Sequence, residues 1–266
     1  MNTIYTNMNI GLVVDQHSDT ALDSAKRLQD KYDVIILNDI MYAKGIECIV
    51  TLGGDGVMLH ALHTYMDLGV PFYGMNRGSL GFLLNSYSED DLIKRIEDAK
   101  PSIIHPLEMN AVTADGQSHQ ELAFNEVSLM RDHNQSAKIE VHIDNTLMMK
   151  ELVSDGILVS TPAGSTAYNF AVHGPILPIG CNLMALTPIS PFRPRRWKGA
   201  LIPYNRKIEF KMLEAEKRPV NAVADFKEHL HVVNVTVHER TDINIKLLFD
   251  DHETFNQKIV REQFAT

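Results

Sequence analysis

The segment Ile49-Val50-Thr51-Leu52 runs directly into Gly53-Gly54-Asp55-Gly56, and then into apolar residues at helical spacing, Val57, Met58, Ala61, Leu62, Tyr65 and Met66. A strand, a glycine-rich turn and a helix form the arrangement in which open parallel sheets bind ligands, at the carboxyl ends of their strands. Glycines there let the backbone approach a ligand, their amides form an anion-binding concavity, and the helix N-terminus favours phosphate. Asp55 is the odd member, because a carboxylate among such amides repels phosphate unless it acts as a base or meets a metal ion. A tight turn in which Asp55 caps the helix is the competing structural explanation.

A second segment, Thr161-Pro162-Ala163-Gly164-Ser165-Thr166-Ala167-Tyr168, follows Asp155-Gly156 and precedes His173-Gly174-Pro175. Its small residues permit close approach of a flat ring, and its hydroxyls and backbone groups suit ribose or amide edges. Alone, it reads equally as a Gly/Pro-rich loop entering a short helix. Phe124-Asn125-Glu126 ends an apolar run with two polar residues, which by itself is as much a strand edge as a site. His60-Ala61-Leu62-His63 has HxxH spacing without a Cys pair or HExxH beside it, so a half-exposed helix face is expected and no metal ligand is assigned. The cluster Arg193-Pro194-Arg195-Arg196 suits a nucleotide phosphate, an acidic patch on a neighbouring subunit, or solvent, and Trp197 beside it is a candidate interface anchor.

The elements that must position these residues follow from periodicity. Strands are expected over Ile10 to Val14, Val34 to Leu37, Ile46 to Leu52 and Pro71 to Met75, with helices over Thr20 to Asp30 and Glu89 to Asp98. That alternation predicts an α/β domain with a mostly parallel sheet. From Ser102 the texture turns to antiparallel β, with Asp115-Gly116 and Asp144-Asn145 as hairpin turns. Strands are expected over Leu122 to Met130, Ala137 to Ile143, Gly156 to Ser160, Val220 to Ala224, Leu230 to Val237 and Ile243 to Phe249. The expected division is residues 1–100, residues 101–250, and a C-terminal segment 251–266 whose helix, Phe255 to Phe264, can return to the first domain.

With 266 residues, 44% apolar and 22% charged, the chain has the composition of a globular protein with real cores. Its net charge of −9 argues against sequence-independent binding to nucleic acid or to anionic membranes. Two cysteines far apart, no signal-peptide pattern and no apolar run of membrane-spanning length predict a cytoplasmic protein.

In order and spacing, Gly53 to Gly56, Asn76-Arg77-Gly78-Ser79-Leu80-Gly81-Phe82, Asn125-Glu126, Asp155-Gly156, Thr161 to Tyr168 and His173-Gly174-Pro175-Ile176-Leu177 resemble the NAD kinase family over most of the chain. Pro191-Phe192-Arg193-Pro194-Arg195-Arg196-Trp197 looks like its alphaproteobacterial branch. The resemblance implies a Rossmann-like N-terminal α/β domain and a C-terminal β-sandwich-like domain, assembled as a homodimer or homotetramer. The implied reaction is phosphorylation of the 2′-hydroxyl of the adenosine ribose of NAD by ATP, giving NADP, with Mg2+ held by the ATP phosphates. Asp55 would be the general base and, with Gly56, contact substrate. Asn125 and Glu126 would hold the adenosine ribose or adenine, and Asp155 the nicotinamide end. Ala163, Thr166, Ala167, Tyr168, Asn169, Phe170 and Ala171 would line the dinucleotide pocket, and Asp225 would join them. The chain departs from the family at Phe226, which cannot replace a hydrogen-bonding neighbour, and at His60, where several relatives carry Arg. Two other functions compete. A sugar-phosphate or lipid kinase of the same superfamily shares Gly-Gly-Asp-Gly but not Thr161 to Tyr168, and a non-catalytic dinucleotide sensor has no use for an intact Asp55.

Overall fold

The structure is a computed structural model, and it describes residues 8–38, 40–78, 81–251 and 254–263. Ser79, Leu80 and Phe264 lie outside the described residues. The chain divides into two compact units, Met1–Ile104 with Asn244–Thr266, and His105–Ile243.

The first unit contains β1 (Ile10–Val14), α1 (Asp19–Lys31), β2 (Val34–Ile36), β3 (Cys48–Gly53), α2 (Asp55–Tyr65), β4 (Phe72–Asn76), β5 (Asn85–Ser86), α3 (Leu92–Asp98) and β6 (Lys100–Ile104). β2, β1, β3 and β4 lie side by side and parallel, with Ile10 opposite Cys48 and Ile49 opposite Phe72. Every residue of β1 and β3 is buried, as expected of strands inside a parallel sheet rather than of a half-solvated one. The chain order reverses between β1 and β3, so β3 ends beside a topological switch point. α1 starts where the Ser18 side chain accepts from the Ala21 amide, and it buries Ala21, Ala25 and Leu28. The helix expected from Glu89 begins only at Leu92, because Asp91 is left-handed (φ 53°) and Glu89 and Asp90 turn outward to pair with Arg27 and Lys31.

The second unit is a pair of six-stranded antiparallel sheets. Its strands are β7 (Leu107–Thr113), β8 (Ser118–Ala123), β9 (Glu126–Arg131), β10 (Ala137–Ile143), β11 (Thr146–Ser154), β12 (Gly156–Ser160), β13 (Leu183–Ile189), β14 (Ala200–Pro203), β15 (Ile208–Met212), β16 (Val220–Ala224), β17 (Lys227–His229) and β18 (Val232–Glu239). One sheet runs β11-β10-β15-β18-β7-β8 and the other β14-β13-β12-β9-β16-β17. Alternate residues of β7, β10 and β15 join residues of β9, β12 and β16 in one apolar core, which is sandwich packing. Both expected hairpin turns form, with Gly116 at φ 85° and Asp144 and Asn145 at 48° and 65°. The strand expected over Leu122 to Met130 is instead two: β8 and β9 break at Phe124-Asn125 and enter different sheets. A short helix, α4 (Tyr168–Ala171), packs against β12.

The chain then returns to the first unit. The run Ile243 to Phe249, expected in the β-rich domain, forms β19 (Ile245–Phe249), parallel to β4 and antiparallel to β6. Alternation signals a strand but not which sheet takes it; here β19, with Leu247 and Phe249 fully buried, lies between β4 and β6. α5 (Phe255–Gln263) follows, anchored by buried Phe255 and Ile259. No helix among the described residues is long and apolar enough to cross a membrane.

Candidate active site

The catalytic candidate of the first unit stands at the carboxyl end of β3. Gly54 is extended (φ −99°, ψ −176°) and turns the chain into α2, so Asp55 is the first helical residue and not the cap. Its carboxylate reaches a different partner: Oδ2 accepts from the Phe82 amide at 2.9 Å and Oδ1 from the Leu83 amide at 3.0 Å. Each oxygen keeps a further lone pair for a ligand proton. Burial pushes the Asp55 carboxyl up from its ordinary range, against the pull of the two amides and of the Lys258 charge. A Cβ on Gly54 or Gly56 would meet no atom within 4 Å, so both glycines face open space where an anion could come close. Arg77 ties the end of β4 to this turn, its amide donating to the Gly53 carbonyl at 2.9 Å and its guanidinium lying 4.1 Å from the Tyr87 ring centre.

In the second unit, Asp225 organises the other candidates. It sits between β16 and β17 in a left-handed conformation (φ 56°), and its carboxylate accepts from the amides of Phe124 at 2.7 Å, Asn125 at 2.9 Å and Glu126 at 3.2 Å. Both oxygens of Asp225, a residue expected to join the substrate pocket, thus hold the turn that presents Asn125 and Glu126. The same turn is gripped from the Thr161 side. Thr161 Oγ1 donates to the Phe124 carbonyl at 2.6 Å and accepts from the Gly164 amide at 2.9 Å, and the Thr161 amide donates to the Asn125 carbonyl. Gly164 is required by this approach, since a Cβ there would stand 2.1 Å from the Asn125 carbonyl oxygen. Gly164→Ala is expected to cost about 1–3 kcal/mol of stability in a urea titration, because backbone rather than a flexible side chain must move.

Glu126 and Tyr168 complete this cluster. The Tyr168 amide donates to the Glu126 carboxylate, whereas Glu126 Oε2 is buried without a hydrogen-bond partner. Burial, reinforced by the Asp225 carboxylate, pushes Glu126 up to about 8 from an ordinary 4.5. Between these values the folded chain holds a proton that the unfolded chain has released, so this stabilisation is full at acid pH and is lost as pH rises through about 8. The melting temperature without nucleotide is therefore expected to fall from about pH 5 to about pH 8, and Glu126→Gln should flatten that slope. An unchanged slope in the variant would rule out a proton on Glu126.

The remaining candidates separate into two groups. Thr166, Ala167 and Tyr168 are half-buried and Phe170 and Ala171 exposed, whereas Ala163 and Asn169 are buried. Asn169 is used internally: its amide nitrogen donates to the carbonyls of Ser165 and Pro175, and its oxygen accepts from Thr187. Asp155 lies at the opposite end of β12 from Glu126, about 16 Å away at 3.3 Å per residue, with its carboxylate on the Arg131 guanidinium at 2.6 Å. Tyr168 lies between them, its phenol pushed up by burial and then by the charges of Glu126 and Asp155. Such a span suits a ligand with two separated recognition ends. Arg131, Leu83 and Lys258 were not found from the sequence, where no motif marks them, and the motif that ends at Phe82 does not show that its amide meets Asp55. Phe226 is 53% exposed beside Asp225, and Met148 lies exposed on β11. His60 is exposed on α2, and the described residues contain no group of three or more His, Cys, Asp or Glu able to hold a metal ion.

Residues 7–99 match the model of the ATP-NAD kinase N-terminal domain and residues 124–246 that of the ATP-NAD kinase C-terminal domain. The chain is 51% identical over 219 residues to the NAD kinase of Caulobacter vibrioides, covering 82% of this chain and 84% of that one. It is 44% identical over 262 residues to the NAD kinase of Rickettsia bellii, covering 97% and 99%. In fold it is similar to yeast NADH kinase complexed with NADH (TM-score 0.83, 18% identity, covering 97% of this chain and 88% of that one). It is also similar to the Archaeoglobus fulgidus NAD kinase in complex with ATP (TM-score 0.71, 22% identity, covering 97% and 99%).

Proposed function

The chain belongs to the NAD kinase family, and from that premise we propose that Asp55 is the general base of the phosphorylation of NAD to NADP, while the Asn125-Glu126 turn holds the acceptor. The observation that carries this assignment is the Asp55 carboxylate, fixed by two amides at the end of β3, beside two glycines that face open space. The proton of the adenosine 2′-hydroxyl passes to Asp55 as the oxygen bonds to the γ-phosphorus of ATP, and the bond from that phosphorus to the β-phosphate oxygen breaks to release ADP. A loose phosphoryl-transfer transition state asks mostly for positioning and for neutralisation of charge. The weak basicity of a carboxylate is tolerable there, and the upward push on Asp55 improves it.

Asn125 and Glu126 meet the adenosine ribose or adenine in this proposal, with Glu126 as a neutral carboxyl that donates as well as accepts. Asp155, one strand-length away, meets the nicotinamide end, and Thr166 to Ala171 with Ala163 line the dinucleotide between them. Asp225 serves by holding the turn. The family description names ATP, which supports ATP as donor. Mg2+ would come with the ATP phosphates and neutralise their charge, and no step is assigned to it. The proposed assembly is a homodimer or homotetramer in the cytoplasm.

The test is NADP formation by the purified chain with NAD, ATP and Mg2+, read through an NADP-specific dehydrogenase. Steady formation of NADP is expected. Phosphorylation of a sugar or lipid with none of NAD would overturn the assignment, and NAD binding in calorimetry without turnover would favour a sensor.

A further inference from the structure

We propose that Lys258, on the C-terminal helix α5, is a positioning residue for the base, fixing the 81–84 turn that in turn holds the Asp55 carboxylate. The proposal rests on Asp55 being the base. Phe255, Lys258 and Ile259 share one face of α5 at i, i+3 and i+4 spacing, and the first and last are buried apolar anchors. Lys258 is the polar member of that anchoring face, and its ammonium turns inward to the carbonyls of Leu84 and, at 3.4 Å, Gly81. The amides between those two carbonyls, Phe82 and Leu83, are the ones that grip Asp55. One short turn is thus held by a cation on its carbonyls and a carboxylate on its amides.

The rest of the return strand secures the same segment. Asn85, buried just after the turn, donates to the Leu248 carbonyl at 3.0 Å and accepts from the Asp250 amide at 2.9 Å, and Asp250 is bound by Tyr73 and Arg95. Lys258 also acts on Asp55 through space, its positive charge favouring the ionised carboxylate against the burial that opposes it. Of the charged groups near the end of β3, Asp15 accepts from the His17 amide and Arg77 lies on Tyr87.

Lys258→Met removes both effects and keeps the length of the stem, and Lys258→Arg restores a cation with donors. In the full-length chain, Lys258→Met is expected to lower kcat about tenfold or more with the KM for NAD nearly unchanged. It should also shift the acidic limb of kcat to higher pH, because an Asp55 without a nearby cation holds its proton longer. Lys258→Arg should regain most of the rate and return the limb. Should Lys258→Met fail to fold, Lys258→Gln, which keeps a donor and loses the charge, carries the same comparison and the same limb shift. A kcat within twofold of the parent and an unmoved limb would overturn the proposal, as would equal losses in Met and Arg variants with the limb in place. Asp55→Asn, assayed alongside, separates the two claims: if that variant turns over normally the base assignment fails, and if it is inactive while Lys258→Met is normal only the positioning role fails.

Discussion

Asp55→Asn is expected to lower kcat by about a thousandfold, within the range that a positioned general base contributes. NAD affinity should change by less than about threefold, since the groups proposed to hold the dinucleotide stand in the second unit. The size of the loss has two sources in the structure. The amide cannot take the ribose proton. It also replaces one of two oxygens that both accept from backbone N–H groups, so a side-chain NH2 would face the Phe82 or Leu83 amide and displace the group. Asp55→Ala removes the acceptors without adding a donor, and equal inactivity in both variants would assign the loss to the missing base. Steady-state rates with NAD, ATP and Mg2+, beside calorimetric NAD binding, measure both quantities. A kcat within tenfold of the parent would remove Asp55 from the mechanism.

Asp225→Ala should produce the second large effect, and on different parameters. Three backbone amides, of Phe124, Asn125 and Glu126, lose their acceptor together. At about 1–3 kcal/mol for each buried donor left unpaired, and with water able to reach part of the turn, a loss near 3–5 kcal/mol in urea denaturation is expected. The KM for NAD should rise about tenfold or more while kcat at saturation falls less, because what is misplaced is the Asn125-Glu126 turn and not the base. Glu126 would also lose the negative neighbour that helps keep it protonated, so the fall of stability with rising pH should end at lower pH in this variant. A KM unchanged from the parent would show that the turn keeps its shape without Asp225, and would assign the carboxylate to stability alone.

Much of the first unit is legible along the chain because its signals are local. Five buried residues from Ile10 and six from Cys48 declare interior parallel strands, Ala21, Ala25 and Leu28 at helical spacing signal α1, and Gly53-Gly54-Asp55-Gly56 between a strand and a helix locates the turn that presents Asp55. Asp115-Gly116 and Asp144-Asn145 likewise specify their hairpins, since left-handed backbone is a property of the residues at the turn themselves. Asn125, Glu126, Tyr168 and Asp155 stand out in the sequence as candidates through their resemblance to one family's motifs.

What the sequence left open is which distant partner completes each local feature. The polar pair Asn125-Glu126 interrupts the apolar run Leu122 to Met130, but nothing in that run names the carboxylate a hundred positions later that captures three of its amides. Nothing near Asp55 names Lys258, whose anchoring face on α5 looks like any amphipathic stretch until β19 carries it back to β4. Alternation and glycine turns report conformational preferences within a few residues, whereas register, sheet membership and hydrogen-bond partners follow from burying the whole chain at once. The sequence by itself therefore determined the chemistry offered, an aspartate at a glycine turn and a polar pair at a strand end. Only the tertiary structure decided how those groups are held, and so how readily Asp55 and Glu126 take up a proton.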